Sequence, residues 1–229
     1  SEEHHSARPC RKSPLYDTLK ADGAVFGEKL GWERPNWFAD LAAGEGQADV
    51  YTFQRPNWHD AVGREHRACR EAAVLFDQTS FAKFALKGPD AEAALQWIAA
   101  NDVGRPVGSL TYTQMLNDRG GIEADVTVTR LSETAFLVVT PAATRRADMA
   151  WITRHLGEAR AVVTDVTPGE GVLAVMGPGA RDLMQAVSPD DFTNAAFPFG
   201  TAREIEIGLG LARAHRVSYV GELGWEIYV

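Results

Sequence analysis

The chain has 229 residues, 45% hydrophobic and 24% charged, with 23 basic against 31 acidic residues and a formal charge of −8. That is the composition of a globular protein, not a disordered one, and its acidity argues against a nucleic-acid backbone or an anionic membrane as principal partner. Two cysteines, Cys10 and Cys69, make no disulfide framework and imply a reducing compartment.

The N-terminal SEEHHSARPCRKSP lacks a signal-peptide core, and no apolar run approaches the length of a membrane span. Residues 1–48 read as a polar, loop-rich lead-in to a domain over 49–229. Within the lead-in, Gly31-Trp32-Glu33-Arg34-Pro35-Asn36-Trp37-Phe38 holds aromatic surface that is costly to leave in water. It is expected to dock on the body of the domain or on a partner domain. Residues 42–47 read as a linker.

A helix is expected from Trp58 to Leu75, a strand from Phe81 to Lys87, and a helix after Gly88-Pro89-Asp90, with proline at an early helical position. Residues 112–130, YTQMLNDRGGIEADVTVTR, are the most informative stretch. Ile122, Ala124, Val126 and Val128 alternate with Glu123, Asp125, Thr127 and Thr129, the period of a half-buried strand. The turn Asp118-Arg119-Gly120-Gly121 tolerates positive φ. Pairing Asp118 with Gly121 sets Asn117 opposite Ile122, Gln114 opposite Asp125 and Tyr112 opposite Thr127. Tyr112 then lies diagonal to Asp125 on the non-core face, within reach of a shared ligand.

A third strand is expected over 135–140, a helix from Pro141 to Leu156, strands over 161–166 and 171–176, a helix from Gly177-Pro178 to Val187, and mostly strand over 202–229. Mixed hairpins and crossovers favour α+β over a doubly wound sheet. FALKGPDAEAALQWI (84–98) matches LAVMGPGARDLMQAV (173–187) at an offset of 89, and RGGIEADVTV (119–128) matches VGELGWEIYV (220–229) at an offset of 101, pairing Asp125 with Glu226. A duplicated unit with acidic strands about a pseudo-twofold axis is one reading of this, and it requires an insertion between the matched segments. Chance similarity is the other.

The histidines have no metal-ligand spacing, and no P-loop, nucleophile elbow or GxGxxG is present, so the chain carries no metal, dinucleotide or FAD motif of its own. Two carboxylate stretches remain. One is Asp125 with Tyr112. The other is Tyr219-Val220-Gly221-Glu222, where glycine lets a ligand approach the backbone. A carboxylate accepts two parallel N–H donors, as a pterin's amino-amide edge would offer, and tyrosine is an aromatic platform with a polar tip. On residue type alone, a solvated sheet face and a turn tyrosine with a solvated glutamate are the simpler account of the two stretches.

Together with LFDQTSFAKFALKGPDA (75–91), YTQMLNDRGGIEADVTVTR and RVSYVGELGWEIYV resemble, in order, the signatures of the folate-binding aminomethyltransferase (glycine-cleavage T-protein) family. The likeness covers about residues 50–229. SPLYDTLKADGAVFGEKLGWERPNWF (13–38) resembles the segment that follows the FAD part in dimethylglycine and sarcosine dehydrogenases. The resemblance implies an α+β fold of duplicated mixed or antiparallel sheets, with a ferredoxin-like half and a Greek-key half. It also implies a tetrahydrofolate-dependent transferase module that captures the methylene of an oxidised N-methyl amino acid as 5,10-methylenetetrahydrofolate. The FAD domain of the same polypeptide would carry out the oxidation. Asp125 matches the catalytic aspartate; Tyr112, Thr113, Val139, Tyr219, Val220, Gly221 and Glu222 match the folate-binding positions, with Glu222 on the pterin edge.

The chain has no initiator methionine and stops in the strand pattern Trp225–Val229, as expected of a fragment truncated at its C-terminal end. It lacks the family's C-terminal barrel and a later arginine that positions folate. Expected partners are folate, an N-methyl amino acid and the FAD domain, in a bacterial cytoplasm or a mitochondrial matrix. The alternatives are a glycine-cleavage aminomethyltransferase, a sulfonium methyltransferase relative, or a non-catalytic folate-sensing scaffold.

Overall fold

The structure, a computed structural model, describes residues 3–219 and 221–229. The lead-in is not loop-rich. It forms helix α1 (Tyr16–Ala21) and an antiparallel hairpin of β1 (Ala24–Lys29) and β2 (Trp32–Phe38). The two-residue turn between them, Leu30-Gly31, has positive φ at both positions, as a hairpin turn with the strands' own twist requires. A leucine there gives no turn signal in the sequence. Trp37 is buried with Val25 and Ala39 against Ala61 of α2 (His59–Glu71), and its indole N–H donates to Asp49 Oδ1 at 2.7 Å. The aromatic cluster therefore docks on the body of the chain.

Helix α2 stops short of the expected Leu75, and Val74–Asp77 is instead strand β3, paired with β9 (Val172–Met176). The first half of the body runs β4 (Ala82–Lys87), α3 (Ala91–Ile98), β5 (Leu110–Leu116), β6 (Ile122–Ser132), β7 (Ala135–Thr140), α4 (Arg145–Leu156) and β8 (Val162–Asp165). The second runs β9, α5 (Ala180–Val187), β10 (Ala202–Ile207), β11 (Gly210–His215) and β12 (Gly224–Tyr228). Each half is a five-stranded sheet, in the orders β5-β6-β7-β4-β8 and β10-β11-β12-β9-β3, with every neighbouring pair antiparallel.

The duplication is present in the topology: β9 takes the place of β4, and β10, β11 and β12 take those of β5, β6 and β7. The unit α2–β3, which precedes the first half in the chain, supplies the second half with what α4–β8 supplies the first. The match between 119–128 and 220–229 is overturned. Ala85 pairs with Leu137, and its repeat counterpart Ala174 pairs with Glu226. Glu226 thus stands in the place of Leu137, so the offset of 89 holds at β4 and again at β7, whereas β6 and β11 match at 86 because the β11–β12 connection is longer than the β6–β7 one. Thr129 faces Leu137 as His215 faces Glu226, so counting back four residues puts Leu211 in the place of Asp125. Short strands of period two align with one another too readily for sequence to tell β6 from β7.

The glycine of each Gly-Pro turn makes this arrangement possible. Gly88 has φ +146° and Gly177 φ +120°. A Cβ at Gly88 would sit 2.7 Å from Ala161 Cα, in the α4–β8 connection, and one at Gly177 would sit 2.5 Å from the Ala72 carbonyl oxygen, in the α2–β3 connection. The Gly179 N–H also donates to Ala72 O at 2.8 Å. In each half the connection crosses directly over the turn, where only glycine leaves room.

One face of the first sheet packs Phe84, Leu86, Val126, Val128, Phe136 and Val138 against α3 and α4. One face of the second packs Val175, Ala214, Trp225 and Ile227 against α5 and the Phe192–Phe197 segment. The remaining faces meet each other through Leu137 of β7, Val172 of β9 and Tyr228 of β12, flanked by Leu131 and Val139. Lys83 lies in this layer, fully buried. Its ammonium donates to the carbonyls of Thr79 at 2.9 Å and Glu170 at 2.7 Å, tying both segments to β4. Burial pulls its pKa down to about 8, against the pull of Glu170 and the aspartates nearby.

Two outcomes follow. Gly88→Ala and Gly177→Ala should each cost about 3 kcal/mol or more in denaturant unfolding, whereas Gly120→Ala, at φ +76° with nothing within 4 Å, should cost about 1 kcal/mol. Between pH 8 and 10.5 the unfolded chain keeps a proton on Lys83 that the folded chain has released, so stability should rise with pH across that window. Lys83→Met should remove that component of the slope, and an identical slope in wild type and variant would count against a perturbed lysine.

Candidate functional site

The hairpin of β5 and β6 has the expected register where it matters: Gln114 faces Asp125 and Tyr112 faces Thr127. It departs at the turn, where Leu116 rather than Asn117 faces Ile122 and the register shifts between Met115 and Leu116. Asn117 is drawn into the loop, its Oδ1 accepting the N–H groups of Arg119 at 3.0 Å and Gly121 at 2.9 Å, a local side-chain turn that competes with the ladder.

Alternation sends Ala124, Val126 and Val128 to the helix-covered core and Asp125, Thr127 and Thr129 to the other face. Thr127 and Thr129 pair there with Val139 and Leu137, which meet the second sheet. Asp125 therefore lies on the face turned toward the second half. Tyr112 crosses diagonally to it, Oη donating to Asp125 Oδ2 at 3.0 Å. This bond, with help from the Asp125 charge, holds the Tyr112 phenol above its ordinary pKa, against an opposing hydrogen bond with Gln114. Tyr112 remains 61% exposed, so the pair is presented and not buried. The charge of the Tyr219 phenol adds slightly to the rise at Tyr112. Tyr112, Thr127, Val139 and Lys83 form one row across the sheet.

The other expected residues fall differently. The Thr113 side chain is buried on the opposite face, where its Oγ1 accepts the Asn101 N–H at 2.9 Å; only its main chain is available beside Tyr112. Tyr219 is almost wholly exposed, Val220 lies outside the described residues, and Gly221, at φ +103°, has open space where a Cβ would be. Glu222 is mostly covered, 3.8 Å from Arg70 Nε on α2, and its charge helps burial push the Cys69 thiol up.

A carboxylate that the repeat matched to Asp125, but that was not expected in the site, stands on the facing sheet. Glu226 shares its strand face with Tyr228, which packs on Leu137. Glu226 is flanked by His215 on β11 and Ala174 on β9. Burial raises its pKa, and its hydrogen bond from Tyr228 Oη, at 2.8 Å, opposes that rise. An acid alternating with Trp225 and Ile227 in an apolar strand was the available signal. The layer also holds buried polar atoms with no protein partner among the described residues: Thr129 Oγ1, both ring nitrogens of His215, Arg213 Nε and one oxygen of Glu170.

The facing sheets thus present an exposed carboxylate bonded to a tyrosine on one side and, on the other, a half-buried carboxylate with one donor among the described residues. Such a pair suits a planar ligand with N–H groups along one edge and a basic nitrogen further along. Among the described residues, no group of three or more His, Cys, Asp or Glu could hold a metal ion, and no helix is long and apolar enough to cross a membrane.

Residues 15–229 match the family model described as the GCVT N-terminal domain. The chain is 43% identical over 223 residues to a 4-methylaminobutanoate oxidase (formaldehyde-forming) of Paenarthrobacter nicotinovorans, covering 97% of this chain and 27% of that protein. It is 36% identical over 265 residues to mitochondrial sarcosine dehydrogenase of Homo sapiens, covering 100% of this chain and 29% of that protein. The chain thus spans under a third of the length of these curated relatives. The crystal structure of the glycine cleavage system aminomethyltransferase T from Bartonella henselae superposes with a TM-score of 0.77 at 26% identity, over 96% of this chain and 54% of that one. With the family model matched over nearly its whole length and the α+β fold of duplicated antiparallel sheets shared with that aminomethyltransferase, this chain belongs to the GCVT family.

Proposed function

We propose that the face between the two sheets binds tetrahydrofolate, and that the domain passes a one-carbon unit from an oxidised N-methyl amino acid to it, giving 5,10-methylenetetrahydrofolate. The observation that carries this reading is the Tyr112–Asp125 pair, bonded at 3.0 Å on a sheet face turned toward the half that carries a second, half-buried carboxylate. Asp125 would hold the N10 nucleophile and offset the positive charge that develops as N10 attacks the carbon. Tyr112, Tyr219 and Val139 supply platforms for the flat parts of the substrate, and the backbone of Thr113 and Gly221 offers close approach.

Two carboxylates compete for the amino-amide edge. Glu222 is the one the YVGE stretch suggests, and its charge is already met by Arg70. Glu226 has only the Tyr228 hydroxyl. Both acids are half-buried, and the one with no ion-pair partner among the described residues gains most from two added N–H donors, so the edge goes to Glu226, and Glu222 serves the rim on which Tyr219 stands. The chemistry of the residues fits this substrate without a metal ligand set.

The amine donor is a secondary or tertiary N-methyl amino acid of the sarcosine type, oxidised by an FAD domain elsewhere in the same polypeptide. The likeness to a sarcosine dehydrogenase supports this. A second reading has its own support: a relative at 43% identity is named as formaldehyde-forming. In that reading the carbon leaves as formaldehyde, and the folate face is used only when folate is present.

In the full-length enzyme supplied with tetrahydrofolate, Asp125→Ala should leave amine oxidation intact and cut methylenetetrahydrofolate formation at least 100-fold, with formaldehyde appearing in its place. An undiminished methylenetetrahydrofolate yield would refute the role given to Asp125, and formaldehyde as the main product of wild type would favour the second reading. Glu226→Gln should weaken tetrahydrofolate binding about 10- to 100-fold and Glu222→Gln much less. Calorimetric titration of the two variants decides between them, and the reverse order would return the edge to Glu222.

A further inference from the structure

Tyr228 has a position that packing alone does not explain. Its ring is fully buried and its hydroxyl is committed to Glu226 Oε2. The His215 ring lies against it at 4.2 Å between centroids, tilted by 33°. The Arg213 guanidinium stands 5.4 Å from the ring centroid and is itself paired with Glu170 at 2.8 Å. Glu170 in turn gives its carbonyl oxygen to the Lys83 ammonium of the first half. On the pseudo-twofold, Val139 occupies the place of Tyr228 and Leu137 that of Glu226. The first half is therefore apolar where the second carries a hydroxyl and a carboxyl in direct contact. A phenol and an acid brought into a hydrophobic layer cost stability unless each satisfies the other.

We propose that Tyr228 is a positioning residue for ligand binding: it fixes the Glu226 carboxylate in one orientation on the face between the sheets, and is itself clamped by His215 and Arg213. This rests on the reading that Glu226 receives the amino-amide edge of tetrahydrofolate. A carboxylate side chain with free torsions would lose its rotamer freedom on binding. Here Tyr228 has already taken one oxygen, leaving the remaining lone pairs directed by the clamp and not by solvent. The same hydroxyl favours the ionised acid, which is the form that accepts two N–H donors.

The groups facing Glu226 are few. Tyr228 is on its own strand, His215 and Arg213 are on β11, Ala174 on β9 carries no charge, and Glu170 and Lys83 lie behind Arg213. Burial and Arg213 hold the His215 pKa well below its ordinary value, so the imidazole stays neutral while Glu226 titrates. Folate affinity should then fall with acidity as Glu226 takes up a proton, with no contribution from His215.

The test is Tyr228→Phe, which keeps the ring and removes the hydroxyl, in the full-length enzyme beside wild type and Glu226→Gln. Tetrahydrofolate affinity should fall roughly tenfold near neutral pH, with the midpoint of its pH dependence moved upward and the rate of amine oxidation unchanged. Without folate, infrared titration of the isotope-labelled glutamates should show one carboxyl, absent in Glu226→Gln, whose midpoint rises in Tyr228→Phe. An unchanged midpoint in that titration overturns the positioning role, whatever the folate result. A shifted midpoint together with folate binding that ignores both substitutions keeps the Tyr228–Glu226 link but overturns its use in folate binding, and with it the edge assigned to Glu226.

Discussion

The crossing of a helix-to-strand connection over a Gly-Pro turn is the constraint on which the rest of this structure depends. It occurs twice, at Gly88 against residues 160–161 and at Gly177 against residues 69–73. In the first half the connection comes from further along the chain, in the second from before the first half begins. Strand β3 therefore reaches back to finish a sheet whose other members lie about 100 residues later. The two halves are interlocked by this exchange, and their uncovered faces are left turned to each other.

That facing pair of surfaces lets a duplicated fold carry the proposed unsymmetrical site. Symmetry places Leu211 where the first half has Asp125, and Leu137 where the second has Glu226. One half contributes an exposed acid, which can meet a reacting nitrogen in water's reach. The other contributes a half-buried acid, which a ligand edge would satisfy on the proposed reading. The two roles need different dielectric surroundings, and divergence of the halves provides both.

Burial in the layer between the sheets is achieved with polar groups as well as apolar ones. Lys83 binds two carbonyls, Arg213 binds Glu170, and Tyr228 binds Glu226. These contacts are valuable mainly because breaking one leaves its partner buried and unpaired. They tie β4 of the first half to the loop before β9 of the second, so the geometry of the face between the sheets is coupled to the packing of both halves.

Local physics determined much of this protein from the sequence alone. The alternation of Ile122 to Thr129 and the Gly120-Gly121 turn were enough for the hairpin, its register at Asp125, and the diagonal contact with Tyr112, because strand period and turn geometry are short-range. The Gly-Pro repeat at an offset of 89 offered duplication as one of two readings, and the sheet topology chose it. The hairpin at Leu30-Gly31 was missed because a leucine holds its positive φ, and β3 was missed because its pairing with β9 is made across nearly 100 residues. The tertiary structure alone decided that β12 answers to β7 and not to β6, that Thr113 turns its side chain away, and that Glu226, half-buried, and Tyr228, buried, stand opposite Asp125's sheet. Burial and cross-sheet contact depend on which surfaces meet, and a strand's own residues state only which of its side chains share a face.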